Sequence, residues 1–148
     1  MEDRHLCKAR PIGTRKQWVT GFYAVLGEKT VIIVNEPEKF YDVDSGKNSH
    51  GNKIVEVIPK TICRCTGLED KNGKLIWEND IVNGSIKRGV AFYRCLVLWN
   101  ECKARFDVRA LGCNFPMTLD ECTDDISMSG FDYEVVGNRF DNPELLEV

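Results

Sequence analysis

The stretch that most constrains this chain is Thr66–Val82, whose centre reads Asp70-Lys71-Asn72-Gly73-Lys74. Asn-Gly is a strong hairpin signal because both residues accept positive φ at little steric cost. Apolar Leu75, Ile76 and Trp77 follow the turn, and an acidic elbow, Glu78-Asn79-Asp80, precedes Ile81-Val82. A chain that doubles back here builds β structure on both sides. The carboxylates superficially resemble a calcium loop. Such a loop needs its glycine two residues further on and a glutamate at its twelfth position, and neither is present.

The flanking segments read as short strands. His5–Arg10 alternates, Pro11–Lys16 supplies turn residues, and Gln17–Leu26 is aromatic and β-branched. Gly21 within it marks a bulge or a close backbone approach. Gly27-Glu28-Lys29 turns the chain into the apolar strand Thr30–Val34. Asn35 to Asn52 is polar and aperiodic, so it is expected as loop. Lys53–Pro59 returns as strand.

After the elbow, Val90–Trp99 is a long strand candidate, and Asn100–Lys103 turns it back. Ala104–Arg109 then alternates, with Ala104, Phe106 and Val108 inward and Arg105, Asp107 and Arg109 outward. Residues 112–130 are irregular, with one helical turn expected over Met117–Cys122, where Thr118 and Glu121 have capping-box spacing. Phe131–Asn138 is a terminal strand, and Pro143–Leu146 a short turn or helix opened by Asn142. Many short strands without a long amphipathic helix predict a mainly β protein of small barrels or a sandwich. The expected organisation is a β-rich region over residues 1–65 and a second unit over 66–148.

Charge and cysteine usage exclude several classes. The net charge of −3 gives no global cationic field for nucleic acid. It is unevenly spread, with one cation against nine carboxylates in residues 110–148. The start lacks an apolar signal segment, and the longest apolar run, Val31–Val34, is far too short to span a bilayer. The expectation is a cytoplasmic protein with no membrane partner. Seven cysteines, an odd number without Cys-x-x-Cys, argue for reduced thiols. Cys63 and Cys65 share one strand face and read as core, and no metal or other cofactor is expected.

Chemistry-bearing residues are sparse. Glu69, Asp70, Glu78 and Asp80 lie close together, but the chain has only His5 and His50 and neither sits in a motif. Carboxylates beside turns commonly cap backbone N–H groups, and Asp80 is the clearest such cap. No nucleophile–base pair and no phosphate loop is found, so no catalytic residue is assigned. The most plausible functional surface is basic with aromatic interleaving: Lys87, Arg88, Arg94, Arg105 and Arg109, with Tyr93 and Trp99 between them. A small barrel bearing these could hold a nucleic-acid strand. The bland alternative makes the aromatic residues core and the arginines solvated.

Three blocks carry a resemblance. Gln17-Trp18-Val19-Thr20-Gly21-Phe22-Tyr23 is the first, the Thr66–Val82 signature the second, and Tyr133–Asn138 with Asp141–Leu146 the third. In this order they resemble the YopX family of bacteriophage and prophage proteins. Asn79 stands where that family commonly has glycine, which implies a less tight turn. The resemblance implies a mainly β protein whose C-terminal half is an SH3-type barrel, encoded by a phage or prophage and acting in a bacterial cytoplasm. It supplies no activity. The resulting expectation is a non-enzymatic binding or assembly module. Its partner would be a second copy of the chain, through exposed edge strands, or a phage or host protein. The alternative is a nucleic-acid-binding accessory in phage DNA metabolism.

Overall fold

Backbone pairing accounts for most of the architecture. In the computed structural model, residues 5–13, 17–42, 47–86, 92–114, 116–119 and 131–147 are described. They form eleven strands: β1 (Cys7–Ala9), β2 (Val19–Leu26), β3 (Lys29–Asp42), β4 (Lys47–Glu56), β5 (Cys63–Glu69), β6 (Leu75–Trp77), β7 (Asp80–Ile86), β8 (Phe92–Asn100), β9 (Arg105–Ala110), β10 (Met117–Thr118) and β11 (Phe131–Asn138). Short 3-10 turns lie at Pro59–Thr61 and Pro143–Leu146. One antiparallel sheet runs β4-β3-β2-β1-β5-β6 and the other β10-β9-β8-β7-β11. The protein is therefore mainly β. The pairings among the described residues do not by themselves define a closed barrel.

The chain divides into two compact units, one within residues 4–64 and one within 65–148. In the first, β2 and β3 are joined by Gly27-Glu28, with Leu26 opposite Lys29 and Gly27 at φ 64°. Gly21 faces Val34, and a Cβ there would collide with the carbonyl of Ile33, so this is the close approach that its glycine permits.

Residues 35–42 and 47–52 are strand and not the expected loop, and residues 43–46 lie outside the described residues. β3 and β4 stay paired from Pro37 opposite Asn52 to Asp42 opposite Lys47. Two strands satisfy each other's N–H and C=O groups whatever their side chains, so a polar tract can extend a hairpin without showing alternation. Further down the sheet, Pro11 bridges Val57, Ile12 N–H donates to the Glu56 carbonyl at 3.1 Å, and Ile58 N–H to that of Arg10 at 2.9 Å. The sheet thus bends until the end of β1 meets the end of β4. Ala9, Ile32 and Val57 are buried on the inner face, with Cys7, Val19, Val55 and Ile62 against them.

The second unit has the larger core. Ile76, Val82, Cys95, Val97, Val108, Leu119 and Tyr133 are buried together, and Leu68, Phe106, Ala110 and Val135 pack onto them. Val97 lies opposite Val108 and Cys95 opposite Ala110, so alternate residues of β8 and β9 build the same face. Trp99 meets Phe106 edge-on, with ring centroids 4.9 Å apart. Cys63 and Cys65 are both buried, as expected for core thiols.

Two local expectations fail. Ala104 is not an inward strand residue; it sits exposed in the β8–β9 turn with φ 48°. Met117 and Thr118 pair with Val108 and Asp107 as β10, and Leu119 N–H donates to the Phe106 carbonyl at 3.1 Å. Cross-strand bonds therefore override the local capping-box signal. Residues 120–122 of that segment lie outside the described residues.

Candidate functional site

The polar residues of the Thr66–Val82 stretch serve the backbone. Asp70 is buried at the end of β5. Its Oδ1 accepts from the N–H groups of Asn72 and Lys74, both at 2.9 Å, and Gly73 N–H donates to its carbonyl at 3.0 Å. This closes the turn, with Gly73 at φ 78°. Its Oδ2 accepts from Val135 N–H at 3.0 Å, a residue 65 positions later. Beside it, Lys71 N–H donates to the Tyr133 carbonyl at 2.9 Å, and Lys71 Nζ lies 3.2 Å from Glu134. Among the described residues β11 is the end strand of its sheet, and the turn seats itself on that edge. Burial raises the Asp70 pKa, but the N–H groups of Val135, Lys74 and Asn72 and the Lys74 charge outweigh it. The carboxyl stays below the usual carboxylate range.

The elbow follows the same logic. Asp80 is buried and its Oδ2 accepts from Trp77 N–H at 2.8 Å, which is the cap read from the sequence. Asn79 has φ 69°, the left-handed conformation that glycine adopts freely and asparagine tolerates best among the others. The asparagine thus occupies a backbone conformation open to glycine. Asn79 N–H donates to the Val97 carbonyl at 2.8 Å, and its own carbonyl accepts from Arg139 N–H at 3.0 Å. Near the C-terminus, buried Asn138 accepts through Oδ1 from Phe140 and Asp141 N–H, both at 2.9 Å, and donates to Asp141 Oδ2 at 2.8 Å.

Three of the five cations of the expected basic surface fall among the described residues. Lys87 and Arg88 lie outside the described residues. Arg94, Arg105 and Arg109 project from one face of β8 and β9, opposite the core face, since Arg109 faces Leu96 and Arg105 faces Asn100. Arg94 is exposed, with Nε 3.5 Å from Asn83 Oδ1. Arg105 is half-buried, and its Nε contacts Asp107 Oδ1 at 2.8 Å.

Asp107, expected to point outward, lies on that outer face but is buried there, and it also accepts from Asn100 Nδ2 at 2.7 Å. Its same-face position between two arginines signals a charge partner but not its depth. The Arg105 charge is thus neutralised locally, which leaves Arg94 and Arg109 as the exposed cations among the described residues of the set. Arg109, Asp107, Asn100, Leu98, Trp99, Glu101 and Pro116 line an open cavity of about 270 Å³. Among the described residues, no three His, Cys, Asp or Glu side chains gather to hold a metal ion. No described helix is long and apolar enough to cross a membrane.

Two small antiparallel units, with turns held by buried Asp and Asn side chains, define a β protein whose distinctive polar residues are architectural. A family model described as YopX protein matches residues 25–147, most of the chain, and the chain belongs to that family. The match takes in both the Thr66–Val82 signature and the C-terminal block; the Trp18–Tyr23 block precedes it. No curated protein matches.

Proposed function

We propose that the chain is a phage-derived binding or assembly module that works without catalysis, and that its first partner is a second copy of itself. The supporting observation is an apolar row on the outer face of the first unit. Phe22, Ile33 and Ile54 lie opposite one another across β2, β3 and β4. Phe22 is 43% and Ile54 56% exposed, and Leu26 extends the patch on the same face. Contiguous exposed apolar side chains on a small domain are characteristic of association surfaces.

At the rim, Lys29 and Glu56 form an exposed pair at 3.5 Å. Both signs in one patch suit a two-fold contact, because each copy offers the other's complement. Asp70 and Asp80 are engaged with backbone N–H groups, which supports a structural role for the signature carboxylates. In this reading the second unit is an SH3-type barrel, since Leu68 of β5 and Ile76 of β6 share the core of the five-stranded sheet.

Sedimentation velocity over a concentration series tests the proposal. The native chain is expected to dimerise, and the Phe22→Ser/Ile54→Ser variant to remain monomeric with an unchanged circular dichroism spectrum. A native chain that stays monomeric up to near-millimolar concentration overturns it.

Binding to nucleic acid is the second reading, favoured by the common outer face of Arg94 and Arg109. Two phosphate contacts correspond to a log–log salt slope of about −2 on duplex DNA. An affinity insensitive to salt, or no binding at low salt, removes it.

A further inference from the structure

The outer edge of β11 is occupied by something that imitates a β-strand. Tyr133 and Val135 turn backbone groups away from β7, and the Asp70 turn meets them. Lys71 supplies an N–H to the Tyr133 carbonyl at 2.9 Å, and the Asp70 carboxylate takes the place of a strand carbonyl toward Val135 N–H at 3.0 Å. Lys71 Nζ adds a cation to Glu134 at 3.2 Å. A donor, an acceptor and a positive side chain at this spacing are what an extended basic segment would present.

We propose that the β11 edge is a strand-addition site for an extended basic segment, and that the Asp70–Lys71 turn is its internal, self-inhibiting occupant. This deepens the binding-module reading by naming a second class of partner. The charge pattern selects that class. Asp132 and Glu134 project from one face of β11, opposite Ser85 and Asn83. A second β11 paired antiparallel about Tyr133 would set Asp132 directly opposite Glu134 of the copy, a like-charge pairing that disfavours self-addition. A strand with Lys or Arg at alternate positions replaces repulsion with the contact that Lys71 already makes. Its intervening apolar residues fall on the face of Tyr133 and Val135, which belong to the core cluster.

The turn is local, so it can yield without dismantling the sheet. Gly73 N–H donates to the Asp70 carbonyl, which puts Lys71 at the first central position of a β-turn, where proline is favoured. Lys71→Pro therefore keeps the turn while deleting both the N–H and the cation that hold the edge.

The experiment is fluorescence anisotropy with two labelled peptides, one alternating lysine and valine, the other glutamate and valine, against the native chain, Lys71→Pro, Asp70→Asn and Glu134→Gln. Lys71→Pro is expected to bind the lysine peptide about tenfold more tightly than the native chain does. Asp70→Asn is expected to shift affinity the same way, and Glu134→Gln to weaken it several-fold. The glutamate peptide should bind none of them. Failure of the lysine peptide to bind Lys71→Pro, with its β-sheet circular dichroism retained, overturns the proposal; so does an equal gain for the glutamate peptide. If Asp70→Asn does not fold, the Lys71→Pro and Glu134→Gln results decide alone. The self-association test uses the Phe22 and Ile54 surface and a different readout, so either proposal can fail without the other.

Discussion

The two units solve the same problem, stabilising a small antiparallel sheet, by different means. The first depends on backbone proximity: long hairpins, a glycine against a neighbouring carbonyl, and a small core cluster of Ala9, Ile32 and Val57. Apolar Phe22 and Ile54 are left facing outward. The second unit has the larger core and adds a framework of buried polar side chains, Asp70, Asp80 and Asn138, each serving backbone groups at a turn. A unit with few enclosed side chains keeps apolar surface available for association. A unit with capped turns holds its edges and loops in fixed positions.

Core truncation should give the largest effect. Ile76→Ala is expected to cost about 4 kcal/mol in urea denaturation, because Ile76 is wholly enclosed in the larger core. Gly21→Ala comes next, at about 3 kcal/mol, since its methyl group meets backbone that cannot step aside. Hydrogen exchange should show β2 and β3 losing protection first. A loss below about 1 kcal/mol would mean that the approach relaxes and that the first unit does not depend on it.

Asp70→Asn should cost about 2 kcal/mol at neutral pH. Because the folded carboxyl is held below its ordinary value, its contribution is complete above the carboxylate range and is lost as pH falls through the lowered value. The stability gap between native chain and variant should therefore narrow on acidification. A constant gap from neutral pH down to strong acid would assign the loss to shape instead of charge. The smallest effect is expected at Asn79, where Asn79→Ala should cost about 1 kcal/mol for its positive φ and Asn79→Gly less.

Much of this framework was legible in the sequence, for identifiable reasons. β2, β8 and β11 are dense in aromatic and β-branched residues, Gly21 interrupts a strand where a bulge or a close approach is called for, and Asp80 stands where a cap is needed. The β3–β4 hairpin was not legible beyond Ile33, because its pairing is made by peptide groups that every residue carries. For the same reason, nothing in the turn sequence announces that Asp70 reaches Val135. On the candidate surface, the shared face of Arg105 and Arg109 followed from spacing. The burial of Asp107 between them did not, since alternation gives direction and not depth.

The thiols of this chain also provide an internal measurement of the contrast between its units. Cys102 and Cys113 are exposed and should alkylate at once, whereas Cys63 is fully enclosed and donates to the Thr61 carbonyl at 3.3 Å, and Cys95 lies within the second core. Cys63 belongs to the first unit and Cys95 to the second. The rate at which each is trapped by a thiol reagent, resolved by peptide mass, reports how often its own unit opens, with no substitution introduced.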